Sequence, residues 1–81
     1  MSSSHDPLYV EFVANLRRAR KESGLSQSDL AERIGKDQSF VSKVETCERR
    51  LDVIEASRWC AALQIRLEHV LPVSLKKLWE K

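Results

Sequence analysis

The stretches GLSQSDLAERIG (residues 24–35) and DQSFVSKVE (residues 37–45) contain the clearest helix signals of this chain. Each contains a residue whose side chain is suited to cap the start of a helix, Ser26 in the first and Asp37 in the second. Gly35, the last residue of the first stretch, can adopt the left-handed conformation that ends the first helix. Two short helices joined by a glycine-containing turn of roughly three or four residues form a helix-turn-helix connection. We therefore predict a helix-turn-helix unit in this part of the chain.

Helices are also predicted on both sides of this unit. Asp6 is expected to cap a helix over about residues 8–23, in which apolar residues recur at helical spacing. Asp52 is expected to cap a fourth helix, and residues 67–71 to form a short fifth helical segment. No strand-length stretch alternates apolar and polar residues, and no Asn-Gly or Asp-Gly pair offers a hairpin turn. The sequence thus predicts an all-α fold.

Length and composition limit the chain to one domain. With 81 residues, a second domain has too little chain to bury its own core. The hydrophobic share of 42% and the charged share of 32% are typical of a folded domain. We predict a flexible N-terminus over residues 1–7 and a domain over residues 8–72 that contains the helix-turn-helix unit (about 26–45). A C-terminal tail over residues 73–81 has room for further helical turns.

Nothing in the sequence indicates export or a membrane partner. The chain has no apolar signal region at its start, and no apolar run reaches membrane length. Cys47 and Cys60 are too few for a dense disulfide framework. We expect a cytoplasmic protein with reduced thiols.

The charge pattern is only a weak indication of nucleic-acid binding. The net charge is +2 and the pI is about 8.7, whereas domains that bind nucleic acid are usually strongly basic. A basic cluster on a helix is more often a solvated face than a binding site. The first predicted helix carries Arg17, Arg18, Arg20 and Lys21, and further cations follow at Lys36, Lys43, Arg49 and Arg50.

Metal, cofactor and catalytic chemistry are not indicated. His5, Cys47, Cys60 and His69 have none of the paired spacings that structural zinc sites use. Cys60 falls on the apolar face of the fourth helix and is expected in the core. Trp59 is expected there too, with a hydrogen-bond partner for its indole N–H. So small a helical domain leaves little room for a catalytic pocket, and we expect no metal, no cofactor and no enzymatic activity.

The sequence of residues 24–45 resembles the helix-turn-helix of lambda-type phage repressors, Cro proteins and the bacterial xenobiotic-response-element-like regulators. The resemblance extends from about Leu16 to Leu71 and so covers most of the chain. It implies a compact five-helix, lambda-repressor-like domain that binds double-stranded DNA. It further implies a transcriptional regulator, with repression of an inverted-repeat operator as the expected role.

The resemblance assigns base-reading roles to the third predicted helix. In this family the second helix of the unit lies in the major groove, with its N-terminal residues at base edges. The matching positions here are Gln38, Ser39, Ser42 and Lys43. A glutamine carboxamide forms paired hydrogen bonds with N6 and N7 of adenine. Phe40 stands where small polar residues are usual, and it either contacts a thymine methyl in the groove or packs against neighbouring helices.

Phosphate contacts and an ion pair are implied by the same resemblance. Gln27 matches a glutamine that bonds a backbone phosphate, and the positive end of the second helix favours an anion there. Further expected phosphate contacts are Lys36, Thr46, Arg49 and Arg50. Arg20 and Glu45 match a structural ion pair, so Arg20 is not counted as a DNA contact.

Cys47 departs from the family pattern, which most often has glycine after the recognition helix. If the backbone there needs a positive φ, the cysteine bears strain that glycine avoids. Otherwise the loop takes another path. A different path of the loop puts the phosphate contacts of Thr46 and its neighbours in question.

The tail is a candidate dimer interface. Leu75, Leu78 and Trp79 form an apolar tip that so short a chain has little means to cover, and exposed apolar patches often mark interfaces. We expect a homodimer through the fifth helical segment and this tail, as the resemblance to dimeric regulators also implies. In the alternative, the tail folds back on the first helix and the fifth segment.

A protein-interaction module is the second function that the sequence allows. Such a module keeps the fold and binds a protein partner, as an antitoxin or a polymerase-binding protein does, because fold alone does not fix function. The low net charge and Phe40 in the reading helix favour this alternative.

Overall fold

The computed structural model describes residues 6–80, apart from the side chain of Trp79. Residues 1–5, which make up most of the predicted flexible N-terminus, lie outside the described range, as does Lys81. The helices are α1 (Pro7–Glu22), α2 (Gln27–Ile34), α3 (Gln38–Glu45), α4 (Val53–Ala62) and α5 (Val73–Lys76), with 3₁₀ turns at Leu67–His69 and Lys77–Trp79. No strand occurs within residues 6–80, and the predicted all-α class is confirmed.

The helices begin and end where local sequence signals predict. The side chains of the N-cap residues Asp6, Ser26, Asp37 and Asp52 each accept a hydrogen bond from a backbone N–H of the helix that follows. These bonds satisfy donors that have no partner within the helix. Gly35 ends α2 at a φ of 72°, a left-handed conformation that glycine adopts at little cost. The turn between α2 and α3 is therefore short, and the helix-turn-helix unit forms.

The core lies beneath α3. Helix α2 packs against α3 and α4, and α1 packs against α3. The most deeply buried apolar side chains include Leu16, Leu30, Val41, Val44 and Trp59, each with no exposed surface. Burying a large apolar side chain contributes about 1.5–3 kcal/mol, so these contacts hold α3 firmly against α1 and α2. Because Val41 and Val44 face inward, the remaining surface of α3 faces outward.

Trp59 and Cys60 both lie in this core. Cys60 is 2% exposed, as predicted, and burial raises the pKa of its thiol. The prediction that the Trp59 indole N–H has a hydrogen-bond partner is wrong, because none of the described residues accepts a bond from it. The ring is surrounded by the apolar core cluster, which supplies contact area but no acceptor.

The C-terminal part is less regular than predicted. The expected fifth segment is a 3₁₀ turn at Leu67–His69, tied to α1 by a hydrogen bond from the Asn15 side chain to the Val70 carbonyl (3.0 Å). Pro72 has no N–H to extend a helix, so the chain restarts as α5 after it. Among residues 6–80, no helix combines the length and apolar character needed to cross a bilayer.

A capping box at the start of α4 makes stability depend on pH. The Asp52 backbone N–H donates to the Glu55 carboxylate (3.0 Å), and this bond, together with the Arg49 guanidinium, lowers the pKa of Glu55. The ionised carboxylate therefore stabilises the fold at pH values above the unfolded pKa of about 4.3. That contribution is lost as the pH falls through the lower pKa of the folded state.

We expect Glu55→Gln to lower the melting temperature at about pH 7, with the deficit shrinking between about pH 5 and pH 3. A glutamine still accepts the Asp52 N–H, so the variant removes the charge and keeps the cap. Thermal unfolding followed by circular dichroism across this range measures the effect. A deficit that stays constant with pH contradicts the assignment.

Candidate nucleic-acid interface

The outward face of α3 presents polar side chains at its N-terminal end. Gln38 and Ser39 are the first residues of the helix, and both are exposed, as is Lys43 one turn later. Ser42 is half-buried beside them. Asp37 fixes the start of this helix, since its side chain accepts the Phe40 backbone N–H (2.9 Å). The helix start therefore brings the predicted base-reading side chains together on one surface.

Arg20 and Glu45 form a buried, two-point ion pair. Arg20 Nε lies 2.7 Å from Glu45 Oε2, and the second bond joins Nη2 to Oε1 at 3.0 Å. The side chains are only 8% and 2% exposed. Arg20 Nη1 also donates to the Leu25 carbonyl (2.7 Å), just before α2. All these donors are used within the protein, so Arg20 has a structural role.

Hydrogen bonds lead from this pair to the surface of α3. Gln27 Nε2 donates to Glu45 Oε1 (2.9 Å), and Gln38 Nε2 donates to Gln27 Oε1 (2.6 Å). Neither bond is predictable from the sequence, because nothing in the spacing of these residues indicates that α2 and α3 bring them together. Gln27, predicted to bind phosphate, keeps one amide hydrogen that these bonds do not use.

Phe40 packs against the core. Its ring centroid lies 6.5 Å from that of Trp59, and the residue is half-buried. Cations lie over the ring, with Lys36 Nζ at 5.2 Å and Arg49 Cζ at 4.8 Å from its centroid. Such contacts stabilise by about 0.5–1 kcal/mol where exposed. Of the alternatives left open for Phe40, these contacts favour packing over a thymine contact.

Several predicted phosphate ligands already have partners within the chain. Arg49 forms paired bonds to the Glu55 carboxylate, both 3.0 Å long. The Arg50 guanidinium lies 4.2 Å from the centroid of the Tyr9 ring. The Thr46 hydroxyl lies 2.7 Å from a carboxylate oxygen of Glu48 and donates to it, which places negative charge beside that hydroxyl. A phosphate contact from Thr46 or Arg49 therefore competes with an existing bond.

Cys47 adopts the conformation that the family pattern reserves for glycine. Its φ is 64°, and its N–H bonds the Val44 carbonyl (3.0 Å), as at an ordinary helix end. The loop therefore does not take another path, and the cysteine side chain bears the strain. The left-handed conformation costs a residue with a Cβ roughly 1–2 kcal/mol.

The tail is only partly covered. Leu75 is half-buried and lines an apolar groove with Leu8 and Tyr9 of α1. Leu78 is 75% exposed, and the side chain of Trp79 lies outside the described part of the chain. The predicted dimer tip is thus divided, with Leu75 turned toward the domain and Leu78 toward solvent.

Replacing Arg20 with alanine is expected to destabilise the fold by about 3–5 kcal/mol, because the buried Glu45 carboxylate loses its partner. The matched control is Arg17→Ala. Arg17 is 55% exposed with its nearest nitrogen 3.9 Å from Glu45, so its loss is expected to cost less than about 1 kcal/mol. Urea unfolding measures both values. Equal effects in the two variants are incompatible with a buried, structural pair.

Cys47→Gly is expected to stabilise the fold by about 0.5–1 kcal/mol, since relief of the strain outweighs the added freedom of the unfolded chain. Cys47→Ala is the control, because it removes the thiol and keeps the Cβ. Urea unfolding under reducing conditions compares the variants. A gain in the alanine variant as large as in the glycine variant assigns the effect to the thiol and refutes the strain.

Comparison with known proteins gives a consistent family. The family model described as Helix-turn-helix matches residues 16–70. An XRE-family like protein from Pseudomonas syringae pv. tomato str. DC3000 is 36% identical, with a TM-score of 0.79 over 95% of this chain and 92% of its own. No curated protein gives a significant match.

Other solved structures share the same architecture. The restriction-modification controller protein C.AhdI from Aeromonas hydrophila is 32% identical, with a TM-score of 0.76 over 85% of this chain and 99% of its own. A hypothetical transcription factor, NHTF, from Neisseria is 27% identical, with a TM-score of 0.75 over 91% and 85%. The similarity therefore extends over nearly the whole of each protein.

Proposed function

Since the chain belongs to the helix-turn-helix family of XRE-type, lambda repressor-like DNA-binding transcription regulators, we propose that it represses transcription from an inverted-repeat operator. In this proposal α3 lies in the major groove and α2 crosses the DNA backbone. The relatives named as a controller protein and a transcription factor support a regulatory role.

The observation that carries the proposal is the surface at the start of α3. Exposed Gln38 and Ser39 lie there on a helix whose opposite face is locked into the core. A side chain that reads a base edge must be both accessible and held in place, and these meet the two conditions. Ser42 and Lys43, one turn later, extend the reading surface.

Phosphate contacts would position this surface. Gln27 is the first residue of α2, where unpaired backbone N–H groups and the helix dipole favour an anion. Lys36 is exposed in the turn before α3, where its ammonium lies over the Phe40 ring. Arg49 and Thr46 would have to exchange an internal carboxylate partner for phosphate, so we rank them last as phosphate contacts. Arg50, which stacks on Tyr9, ranks above them and below Gln27 and Lys36.

A homodimer would place two α3 helices on successive turns of the duplex. We propose that the exposed Leu78, with Leu75 and Trp79, contributes to the contact between subunits. Regulators of this kind bind half-sites about one helical turn apart, roughly 10 base pairs. The operator then repeats the same half-site in inverted orientation.

Selection of bound duplexes from a random library tests the proposal. We expect the native chain to enrich an inverted repeat, and Gln38→Ala to lose preference at one position in each half-site, at a cost of about 1–3 kcal/mol. Lys43→Ala is expected to change preference at a neighbouring position. Arg66→Ala, which removes an exposed cation elsewhere, is the control and is expected to leave the selected sequence unchanged.

The results separate the parts of the proposal. A single enriched half-site keeps base reading and removes the dimer. Uniform weakening by Lys43→Ala makes Lys43 a phosphate contact. No enrichment by a folded native chain refutes sequence-specific binding and favours a protein partner. Affinity that falls steeply with salt supports phosphate contacts, whereas an apolar protein interface responds little.

A further inference from the structure

The aromatic ring of Phe40 lies beside a cation at the edge of the reading surface. We propose that Phe40 is a positioning residue for the DNA backbone: its ring holds the Lys36 ammonium in place and leaves the N–H groups of that ammonium free for a phosphate. The inference rests on the proposed DNA-binding function and gives Phe40 a role besides packing. Phe40 acts through Lys36 and touches no base.

The Phe40 ring is itself held by the fold. Its centroid lies 6.5 Å from that of Trp59, a ring with no exposed surface. The Phe40 backbone N–H donates to the Asp37 side chain (2.9 Å), which fixes the first turn of α3. Phe40 is half-buried, so part of the side chain packs on the core and part is open to solvent. The open part therefore keeps a constant position relative to the reading surface of α3.

The backbone of Lys36 is fixed, whereas its side chain is long and exposed. The backbone N–H donates to the Ala31 carbonyl (2.9 Å) in the turn between α2 and α3. Among the described residues, no carboxylate lies within ion-pair distance of the ammonium. Lys36 Nζ lies 5.2 Å from the centroid of the Phe40 ring. The contact with this ring therefore restrains a side chain that no carboxylate holds.

An aromatic ring restrains an ammonium without neutralising it. The positive charge is attracted to the negative face of the ring, and the N–H groups remain available to a stronger acceptor. Arg49 gives the contrast, because its guanidinium also lies over the Phe40 ring (4.8 Å) yet donates to both carboxylate oxygens of Glu55. Of these two cations, Lys36 is the one whose donors are free for a phosphate.

The surroundings of Lys36 suit a phosphate of the DNA backbone. A hollow of about 320 Å³ beside the start of α3 is lined by Lys36, Asp37, Ser39, Phe40, Lys43 and Arg49. Even with Arg49 paired to Glu55, positive charge is in excess there, and such a hollow attracts an anion. An ammonium that is already held in place loses less conformational freedom when it binds that anion.

A double-mutant cycle on DNA affinity tests the inference. The duplex selected by the native chain is bound to the native chain, Phe40→Leu, Lys36→Ala and the combined variant, between about 50 and 200 mM salt. Phe40→Leu removes the face of the ring and keeps an apolar contact with the core. Phe40→Tyr keeps the ring and is the conservative control.

We expect Phe40→Leu to weaken binding about twofold to fivefold, the factor that corresponds to an exposed cation–π contact. Lys36→Ala is expected to lower the slope of log affinity against log salt by about 0.9, as for one lost phosphate contact. In the Lys36→Ala background, Phe40→Leu is expected to have no further effect, whereas a role in packing alone weakens binding equally in both backgrounds. Phe40→Tyr is expected to keep the native affinity.

Arg49→Ala is the matched control, because it removes the other cation over the same ring. Phe40→Leu is expected to weaken binding in this background as much as in the native chain. The contact is also measured in the native chain without DNA, by NMR. The ε-methylene protons of Lys36 are expected upfield of those of the exposed Lys21, because they lie over the ring. This shift decides the inference if Phe40→Leu does not fold.

Four results overturn the inference and leave the proposed function standing. The first is equal weakening by Phe40→Leu with and without Lys36, and the second is a weakening that disappears in Arg49→Ala. The third is a changed base preference in Phe40→Leu, which makes Phe40 a base contact. The fourth is an ε-methylene shift of Lys36 equal to that of Lys21. If the folded native chain enriches no sequence, the proposed function fails and the inference fails with it.

Discussion

A buried ion pair between Arg20 and Glu45 connects the first three helices. One guanidinium on α1 binds the carboxylate at the end of α3 and also the Leu25 carbonyl that precedes α2. The orientation of α3 is thus coupled to α1 at the C-terminal end of α3. Removing both charges from water costs several kcal/mol each, so the pair adds little net stability, whereas loss of one partner leaves the other charge buried and unpaired.

Apolar packing and polar contacts divide the task of placing α3. The buried side chains of Val41 and Val44 pack α3 against the core and so fix the position of this helix. The bonds from Glu45 through Gln27 then act on a single side chain at the other end of the helix. A surface that would otherwise consist of mobile polar side chains is in this way partly ordered before any ligand binds, which lowers the entropic cost of recognition.

The sequence predicts the features that depend on near neighbours. Ser26, Asp37 and Gly35 interact with backbone groups only a few residues away in the sequence. Caps and turns can therefore be inferred without knowing the fold. The bond between Gln27 and Gln38 could not be inferred, because it requires the angle at which α2 packs on α3. The stacking of Lys36 and Arg49 on Phe40 could not be inferred for the same reason, since helical spacing gives the direction of a ring and not what covers it.

Internal pairing of cations changes how this protein would search a genome. Arg20 is buried against Glu45 and the exposed Arg49 is paired with Glu55, so a chain of net charge +2 commits some of its cations to its own carboxylates. Non-specific affinity for DNA comes from counterions that unpaired cations displace from phosphates. A regulator built in this way is retained weakly by random sequence. Since a genome offers about 10⁶–10⁹ such competing sites, weak retention would leave more of the protein available to the operator proposed for it.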